Sequence, residues 1–396
     1  MNTEVRRQAL LKKIPDKSIV IFHAGKLVQQ GEDGNYPFYV DRCFFYFTNI
    51  SQENSLLILV KNNGIHEYLY INAFDEKKEK WFGHNLTIDE AKALSNINEI
   101  KTLDYFNNDL KTLLQSVEHV YLNFKSDNSF FDEFKVHFPK LIINNIYQET
   151  VNLRLIKNDD EVNAIKQAIA ITHLGFKKIA KELKTAKYEY EVYNAFNHEI
   201  LNHGTHEIGF PSIICSGIHA CCLHYPTPYD KLPSNGLILC DVGAAYNHYC
   251  ADVTRTFPVN GKFTDLQKTI YQIVLSTNKK IIEMVRPNVT ITELQNLTKD
   301  LLAEGCLKAN LIKNKDEITN YYMHGVAHHL GLDVHDVGGR DSKLEPGMVI
   351  TIEPGLYFPD QAIGIRIEDD VLVTKDGYEL LSKDIVKEIN DIEKLF

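Results

Sequence analysis

Two apolar segments that each carry a pair of acidic residues constrain the fold of this chain most. The segment LILCDVGAAYNHYCADVTRTF is typical of a β-hairpin, with its turn centred on Tyr246 and Asn247. Asp241 and Asp252 are equidistant from that centre, so they would lie directly across from each other. Cross-strand partners share one face of a sheet, with Cβ atoms about 5 Å apart. Because two facing carboxylates in an apolar hairpin repel, the segment predicts a cation between them.

The same arrangement recurs in GMVITIEPGLYFPDQAIGIRIEDDVLV. A turn centred on Asp360 and Gln361 would place Glu353 opposite Glu368. Each glutamate ends a run of strand-forming residues, VITI or IGIRI, that should be largely buried. A single acid in a strand more often caps a bulge or pairs with a lysine. Two mirror-symmetric pairs, however, favour a metal site, provided that no bulge shifts either register.

Length and charge narrow the class of protein. The chain has 396 residues, which is more than one hydrophobic core usually supports, so we expect two domains. A formal net charge of -10 argues against binding to nucleic acid or to a membrane surface. We also expect no secretory signal and no membrane span. Seven irregularly spaced cysteines indicate reduced thiols and therefore a cytoplasmic protein.

The pattern of apolar residues changes near residue 152. Residues 1–152 alternate short strands (18–22, 55–61, 67–72 and 120–124) with helices (87–94 and 106–117), which predicts an α/β domain. A charged break, LRLIKNDDEV, is followed by a helical period over 161–184. Further helices are predicted at 188–202, 265–285 and 290–304, the last ending at Gly305. We therefore predict an α+β protein with domains 1–152 and 153–396.

Between the two acidic segments lies a histidine-rich stretch, HGVAHHLGLDVHDVGG, with His324, His328, His329 and His335. Histidines four apart would share a helix face, as in zinc peptidases with H-E-x-x-H. The glutamate of that motif is absent here and Gly325 weakens a helix, so this interpretation fits poorly. One histidine joining four carboxylates would make an oxygen-rich site, which suits Mn²⁺ better than a structural zinc.

In these segments the chain resembles the pita-bread metallopeptidases, specifically the proline-directed branch with aminopeptidase P and prolidase. Four motifs carry the resemblance in order: DVGAAYNHYCADVTRTFPV, HGVAHHLGLDVHDVG, EPGMVITIEPGLYF and GIRIEDDVLVT. It extends upstream through FPSIICSGIHACCLHYPTP, and more weakly through WFGHNLT and FFYFTNISQENSLLILV. The resemblance implies a noncatalytic, creatinase-like α/β domain at the N-terminus, followed by a pita-bread catalytic domain.

The resemblance also implies a set of metal ligands and two divalent metal ions, with Mn²⁺ expected. Asp241 would bind one ion, and His328 and Glu353 would bind the other. Asp252 and Glu368 would bridge the two ions. Glu353 would in addition take a proton from the attacking water.

Other site residues follow from the same resemblance. His224 and His335 would lie beside the substrate, and either would stabilise the charge that develops on the scissile carbonyl. His324 would line the same site, with Tyr357 shaping the pocket for proline. Arg366 would orient the metal-binding carboxylates.

One residue next to His328 departs from the family pattern, and the residue on its other side has no role that the resemblance implies. Ala327 stands where the resemblance leads one to expect Ser or Gly, and we expect this small residue to be tolerated. His329 follows the predicted ligand, and we predict that it lies at the rim or the surface.

The resemblance implies an Xaa-Pro aminopeptidase, which releases the first residue from peptides with proline in second position. The segments FFYFTNIS and YPFYVDR favour it over an Xaa-Pro dipeptidase (prolidase). The alternative from another class is a noncatalytic pita-bread binding protein; such proteins usually lose ligands, and none is lost here. Family members are commonly homodimers or higher homo-oligomers. Serine hydrolase chemistry is disfavoured because ICSGI is not G-x-S-x-G.

Overall fold

The structure is a computed structural model that describes residues 2–125, 128–205 and 207–396. The chain divides into two compact units, Met1–Arg154 and Leu155–Phe396. The boundary predicted after residue 152 stays a prediction, because compactness alone does not define where independent folding ends. No helix in the described ranges has the length and apolar character needed to cross a membrane.

The first unit is built on a mixed sheet with strand order β4-β3-β2-β1-β5-β6. β1 pairs antiparallel with β2 and parallel with β5. Every residue of β1 is buried, as expected for an apolar strand in the middle of a sheet. The strands are β1 (Ser18–His23), β2 (Leu56–Lys61), β3 (Ile65–Ile71), β4 (Glu99–Thr102), β5 (His119–Leu122) and β6 (Ile143–Asn145).

The first unit also contains helices of 7 to 10 residues. The predicted helix 87–94 is present and begins with a capping box, in which Thr87 and Glu90 each bind the other's backbone N–H. The helices are α1 (Thr3–Leu11), α2 (Arg42–Thr48), α3 (Glu76–Phe82), α4 (Ile88–Ser95), α5 (Phe106–Leu114), α6 (Asn128–His137) and α7 (Tyr147–Arg154).

The second unit opens with the long predicted helix, whose N-terminus is capped reciprocally by Asn158 and Glu161. The prediction that a helix ends at Gly305 is wrong, since this residue lies inside helix α11 (Ile291–Lys308), which packs against α10 (Asp265–Met284). A Cβ atom there would be 2.6 Å from Cγ2 of Ile273, so the glycine allows α10 and α11 to approach closely. The helices are α8 (Asp159–Glu182), α9 (Glu189–Asn202), α10 (Asp265–Met284), α11 (Ile291–Lys308) and α12 (Ile389–Glu393).

The strands of the second unit form small antiparallel sheets with the orders β11-β8-β7, β12-β15-β16, β13-β14 and β10-β9. Buried residues of α10, α11 and β12, including Ile281, Leu294 and Ile350, form an apolar core. The strands are β7 (Ile213–Ser216), β8 (Leu237–Val242), β9 (Ala245–Tyr246), β10 (Tyr249–Cys250), β11 (Val253–Pro258), β12 (Val349–Ile352), β13 (Gly355–Phe358), β14 (Ile363–Arg366), β15 (Asp369–Val373) and β16 (Tyr378–Leu380).

The first acidic hairpin has a different register from the predicted one. Thr254 pairs with Asp241, and Tyr249 pairs with Tyr246. The turn residues are therefore Asn247 and His248, with φ of 49° and 65°, as a type I′ turn requires. Asp252 consequently lies on the same face as Asp241 but diagonal to it, so the prediction that the two acids face each other directly was wrong.

The second acidic hairpin has the predicted register. Gly355 pairs with Arg366 in one ladder, and Ile352 pairs with Asp369 in the next. Both ladders share a centre between Asp360 and Gln361, which makes residues 353 and 368 opposite positions. These two positions lie between the ladders, where the strands separate.

Candidate metal centre

Four carboxylates and one imidazole come together in the second unit. Asp241 lies on β8, and Asp252 immediately precedes β11. Glu353 follows β12, and Glu368 immediately precedes β15. Three of these acids are almost completely buried, with exposed fractions of 8% for Asp241, 5% for Asp252 and 2% for Glu368. His328 approaches the acids from the segment before β12.

The imidazole of His328 is oriented for binding a cation. Its Nδ1 lies 3.1 Å from the carbonyl oxygen of His329, so Nδ1 carries the proton and Nε2 keeps a lone pair. Nε2 lies 3.3 Å from Oδ2 of Asp252, 3.7 Å from Oε1 of Glu353 and 4.0 Å from Oε1 of Glu368. A lone pair and three carboxylate oxygens converge on one place, where a positive charge would bind all four.

Two acid oxygens at the same place have no partner in the described part of the chain. Oδ1 of Asp241 and Oδ1 of Asp252 are buried and accept no hydrogen bond there. Buried polar atoms nearly always have partners, so such oxygens point to a ligand that is not protein. Ligand atoms of Asp252, His328 and Glu368 all lie within 4.8 Å of one another. The residues therefore fit a divalent cation.

The pKa shifts of the buried acids are also those expected of a cation site. Burial is the largest of the causes that raise the pKa of Asp252 well above its ordinary value, and the neighbouring Asp241 carboxylate is the next. Burial and then Asp252 raise the pKa of Glu368 in the same way, and burial raises the pKa of Glu353 to about 7. The charged carboxylates are thus disfavoured first by burial and then by one another, and divalent cations would reverse that preference.

Arg366 binds the carboxylate of Asp241, in line with the expectation that this arginine orients the acids. Its Nη2 donates to Oδ2 of Asp241 at 2.7 Å, and its Nε donates to Oγ1 of Thr254 at 3.2 Å. The Thr254 hydroxyl in turn donates to Oε2 of Glu368 at 2.6 Å. Thr254 therefore joins two strands at the acids, a role that the sequence analysis missed.

Three further histidines were predicted near the expected metal ligands, and all three lie close to these residues. Nε2 of His324 lies 2.8 Å from Oη of Tyr357, and its Nδ1 is 3.5 Å from Oε2 of Glu353. Burial lowers the pKa of His324 to about 3, which leaves its imidazole neutral. The ring centroids of His335 and His328 are 4.2 Å apart. His224 and His335 line one cavity together with Asp241 and Asp252.

This cavity has a volume of about 780 Å³, within the range of small-molecule sites. Away from the acids its wall is mainly aromatic rings and prolines, which the sequence analysis did not single out because they come from α9 and from separate loops. Its lining residues are Tyr190, Tyr193, Asn194, Phe210, Pro211, Ser212, Ile213, His224, Tyr225, Pro226, Pro228, Tyr229, Asp241, Asp252, Val334 and His335.

The prediction that His329 lies at the rim or surface was wrong, because only 3% of this residue is exposed. It packs so closely that a Cβ atom on Gly338 would lie 2.1 Å from its ring. A buried ion pair lies beside it, with Nζ of Lys157 3.0 Å from Oδ2 of Asp336. The N–H of Asp336 donates to the carbonyl of His329. These contacts hold the loop that carries His335.

The two bonds of Thr254 can be tested by replacing it with valine, which has the same shape but no hydroxyl. We expect Thr254→Val to weaken the affinity for Mn²⁺ by about 10- to 100-fold, the usual effect of losing a group that orients a ligand. Isothermal titration of metal-depleted protein would measure this. Thr256→Val is the matched control, since Thr256 is equally buried on β11 but bonds the main chain of Arg366. Equal affinities of both variants would contradict the expectation.

Comparison with known proteins agrees with the fold. Residues 163–375 match metallopeptidase family M24, and residues 3–121 match the aminopeptidase P N-terminal domain. An Xaa-Pro aminopeptidase of Escherichia coli (strain K12) is 32% identical, over 98% of this chain and 96% of its own length. A solved structure of aminopeptidase P from E. coli with the inhibitor Pro-Leu superposes with a TM-score of 0.92 and 32% identity. The superposition covers 100% of this chain and 97% of that one.

These matches and the buried acid cluster define the class of protein as a metallopeptidase. The chain belongs to metallopeptidase family M24, and within it to the aminopeptidase P branch. The predicted fold class is confirmed: an aminopeptidase P N-terminal domain precedes a pita-bread catalytic domain.

Proposed function

We propose that this protein is an Xaa-Pro aminopeptidase, which hydrolyses the bond between the first residue of a peptide and a following proline. The observation that carries the proposal is the convergence of His328 Nε2 with three carboxylate oxygens. One of these oxygens belongs to Asp252, which lines a large cavity. The relatives named Xaa-Pro aminopeptidase support the specificity for proline.

The proposed metal ligands are those predicted from the sequence. Asp241 would hold one divalent ion, His328 and Glu353 would hold another, and Asp252 and Glu368 would contribute to both. Five ligand residues with four carboxylates make an oxygen-rich site, which favours Mn²⁺. Two such ions supply Lewis acidity, which activates a water molecule and polarises the scissile carbonyl.

The side chains around the ligands then perform the remaining steps. Glu353 accepts a proton from the attacking water and delivers it to the nitrogen of the leaving proline. His335 and His224, which line the cavity beside the acids, donate hydrogen bonds to the carbonyl oxygen as charge develops on it. The His324 ring, fixed by Tyr357, borders Glu353 on its other side and orients it.

The aromatic wall of the cavity suits an apolar imino acid. Tyr225, Pro226 and Pro228 lie on the same loop as His224, so they line the cavity near the reacting bond. A proline ring packs well against such surfaces, and it needs no hydrogen-bond partner for its nitrogen. We propose that these residues select proline. Tyr357, which was expected to shape the pocket, is completely buried and does not line the cavity.

We propose that the protein is cytoplasmic. Cys215, Cys240 and Cys306 are buried thiols, which is consistent with a reducing cytoplasm. We further propose a homodimer or higher homo-oligomer, as the resemblance implies. Analytical ultracentrifugation would show whether the sedimenting mass exceeds that of one chain.

A peptide panel tests the proposed activity. Metal-depleted protein would be assayed with Mn²⁺, Zn²⁺ or no metal on the tripeptide Ala-Pro-Ala, the matched Ala-Ala-Ala and the dipeptide Gly-Pro. We expect release of the first alanine from Ala-Pro-Ala, strongest with Mn²⁺, and about 100-fold or more discrimination against Ala-Ala-Ala. Cleavage restricted to Gly-Pro would identify a dipeptidase instead. Absence of hydrolysis with every metal would contradict the proposal of catalysis.

A further inference from the structure

The strands of the second acidic hairpin separate where its two glutamates lie. The ladder of β12 with β15 ends at Ile352 and Asp369, and the ladder of β13 with β14 ends at Gly355 and Arg366. In the gap, the N–H of Glu353 donates to the carbonyl of Val326, and the N–H of Glu368 donates to that of Thr254. One backbone bond crosses the gap beside the glutamates, from the N–H of Ile367 to the carbonyl of Pro354 at 3.3 Å. The main chain of each glutamate itself is bound to a different neighbour, so this bond does not join the two glutamates directly.

A buried amide on α10 spans this gap. Nδ2 of Asn278 donates to the carbonyl of Ile352 at 3.1 Å and to the carbonyl of Ile367 at 3.3 Å. These are the residues immediately before Glu353 and Glu368. An amide nitrogen carries two hydrogens, so one side chain can bind both strands at once. Asn278 is completely buried, so water does not compete for these bonds.

The other end of the amide is fixed as well. Oδ1 of Asn278 accepts from Nζ of Lys387 at 2.8 Å, and Lys387 also binds Oδ2 of Asp369 at 2.6 Å. An ammonium group can only donate, so the orientation of the amide is determined: its nitrogen must face the two carbonyls. Asp369 also pairs at 2.8 Å with Arg255, whose Nη1 donates to the carbonyl of Glu368 at 2.6 Å.

We propose that Asn278 is a positioning residue that sets the separation of Glu353 and Glu368 and thereby the affinity of the metal centre. It holds the main chain directly before both glutamates, and its own orientation is fixed by a charged partner. Groups that orient metal ligands commonly change affinity by 10- to 100-fold when removed. This inference rests on the proposed metal site and adds to it a determinant that lies outside the ligand set.

Two variants test the proposal. Asn278→Leu keeps the approximate size and removes both donors, whereas Asn278→Asp keeps the acceptor for Lys387 and removes the donors. Each would be metal-depleted and titrated with Mn²⁺, and low-temperature EPR of the loaded protein would report magnetic coupling between neighbouring Mn²⁺ ions. We expect about 10-fold or greater loss of affinity and an altered coupling signal in both variants.

The matched control is Tyr271→Phe. Tyr271 is also completely buried on α10, and its hydroxyl donates to the carbonyl of Lys387. A role in packing alone would lower the melting temperature of the Asn278 variants, as in the control, but leave Mn²⁺ affinity and the EPR signal unchanged; that result would overturn the proposal. Failure of both variants to fold would also overturn it, since Asn278 would then be a folding residue. A wild type that binds no Mn²⁺ would instead refute the proposed metal site.

Discussion

Asp252→Asn is expected to reduce kcat/KM for Xaa-Pro peptides by about 10³-fold or more, because the proposed metal centre loses a bridging carboxylate. The substitution keeps the size and shape of the side chain. Oδ2 of Asp252 lies 3.3 Å from Nε2 of His328, and its Oδ1 is buried without a partner among the described residues. A neutral amide there offers one oxygen in place of a bidentate anion. Metal analysis should find fewer than two ions per chain.

Although Asp252→Asn should reduce activity, it should not lower the melting temperature of the metal-depleted protein. Burial, followed by the nearby carboxylates of Asp241, Asp370 and Glu353, raises the pKa of Asp252 and so disfavours its ionised form. Removing that charge relieves repulsion in the metal-depleted fold. The metal-depleted variant should therefore melt no lower than metal-depleted wild type, although it gains less melting temperature on addition of Mn²⁺.

The control for this pair of measurements is Asp360→Asn, an exposed acid in the turn of the second hairpin. It should leave activity, metal content and melting temperature unchanged. Wild-type activity in the Asp252 variant, or two ions bound per chain, would show that Asp252 is not a metal ligand. A large fall in the melting temperature of the metal-depleted variant would show that its carboxylate stabilises the fold itself.

The two acidic hairpins show how far local sequence determines register. The second hairpin was predicted correctly, because Pro359 and Asp360 make a strong turn signal at its centre. The predicted register of the first hairpin was wrong, because several residues there are compatible with a turn. The predicted turn would have required a left-handed backbone at Tyr246. Asn247 and His248 adopt that backbone instead. Asn247 belongs to both the predicted and the observed turn, so the choice lay between Tyr246 and His248. Histidine is enriched in the left-handed region among non-glycine residues, so His248 was the available signal.

Other parts of the site depend on contacts between distant positions. Asn278 and Lys387 are 109 residues apart, and nothing in the local pattern of either residue indicates their bond. His329 was predicted to lie at the rim or the surface, because the residue after the predicted ligand varies in the family that the chain resembles, yet it is buried. Spacing alone also did not distinguish His328 from its neighbouring histidines; the resemblance to a family did. Periodicity located the helices, but not which buried polar groups would meet.

Gly243→Ala is expected to damage both the fold and the metal centre, because this glycine lies opposite Asp252 in the first hairpin. The register that pairs Val242 with Val253 places residue 243 against residue 252. A Cβ atom at position 243 would be 1.8 Å from the carbonyl oxygen of Ala251. The clashing atom belongs to the main chain, so it cannot rotate away as a side chain would. The strand that carries Asp252 would have to move.

Overpacking a buried site usually costs about 1–3 kcal/mol, and a clash with main chain lies at the upper end. For a unit of this size, about 3 kcal/mol corresponds to a melting temperature roughly 6–12 °C lower. Gly377→Ala is the matched control, since nothing lies within 4 Å of a Cβ atom there. Melting of both variants with and without Mn²⁺ would separate the effects: Gly243→Ala should lose stability in both conditions and also lose most of its Mn²⁺-dependent gain. A Gly243→Ala protein that melts and binds Mn²⁺ like Gly377→Ala would refute the register on which this reasoning depends.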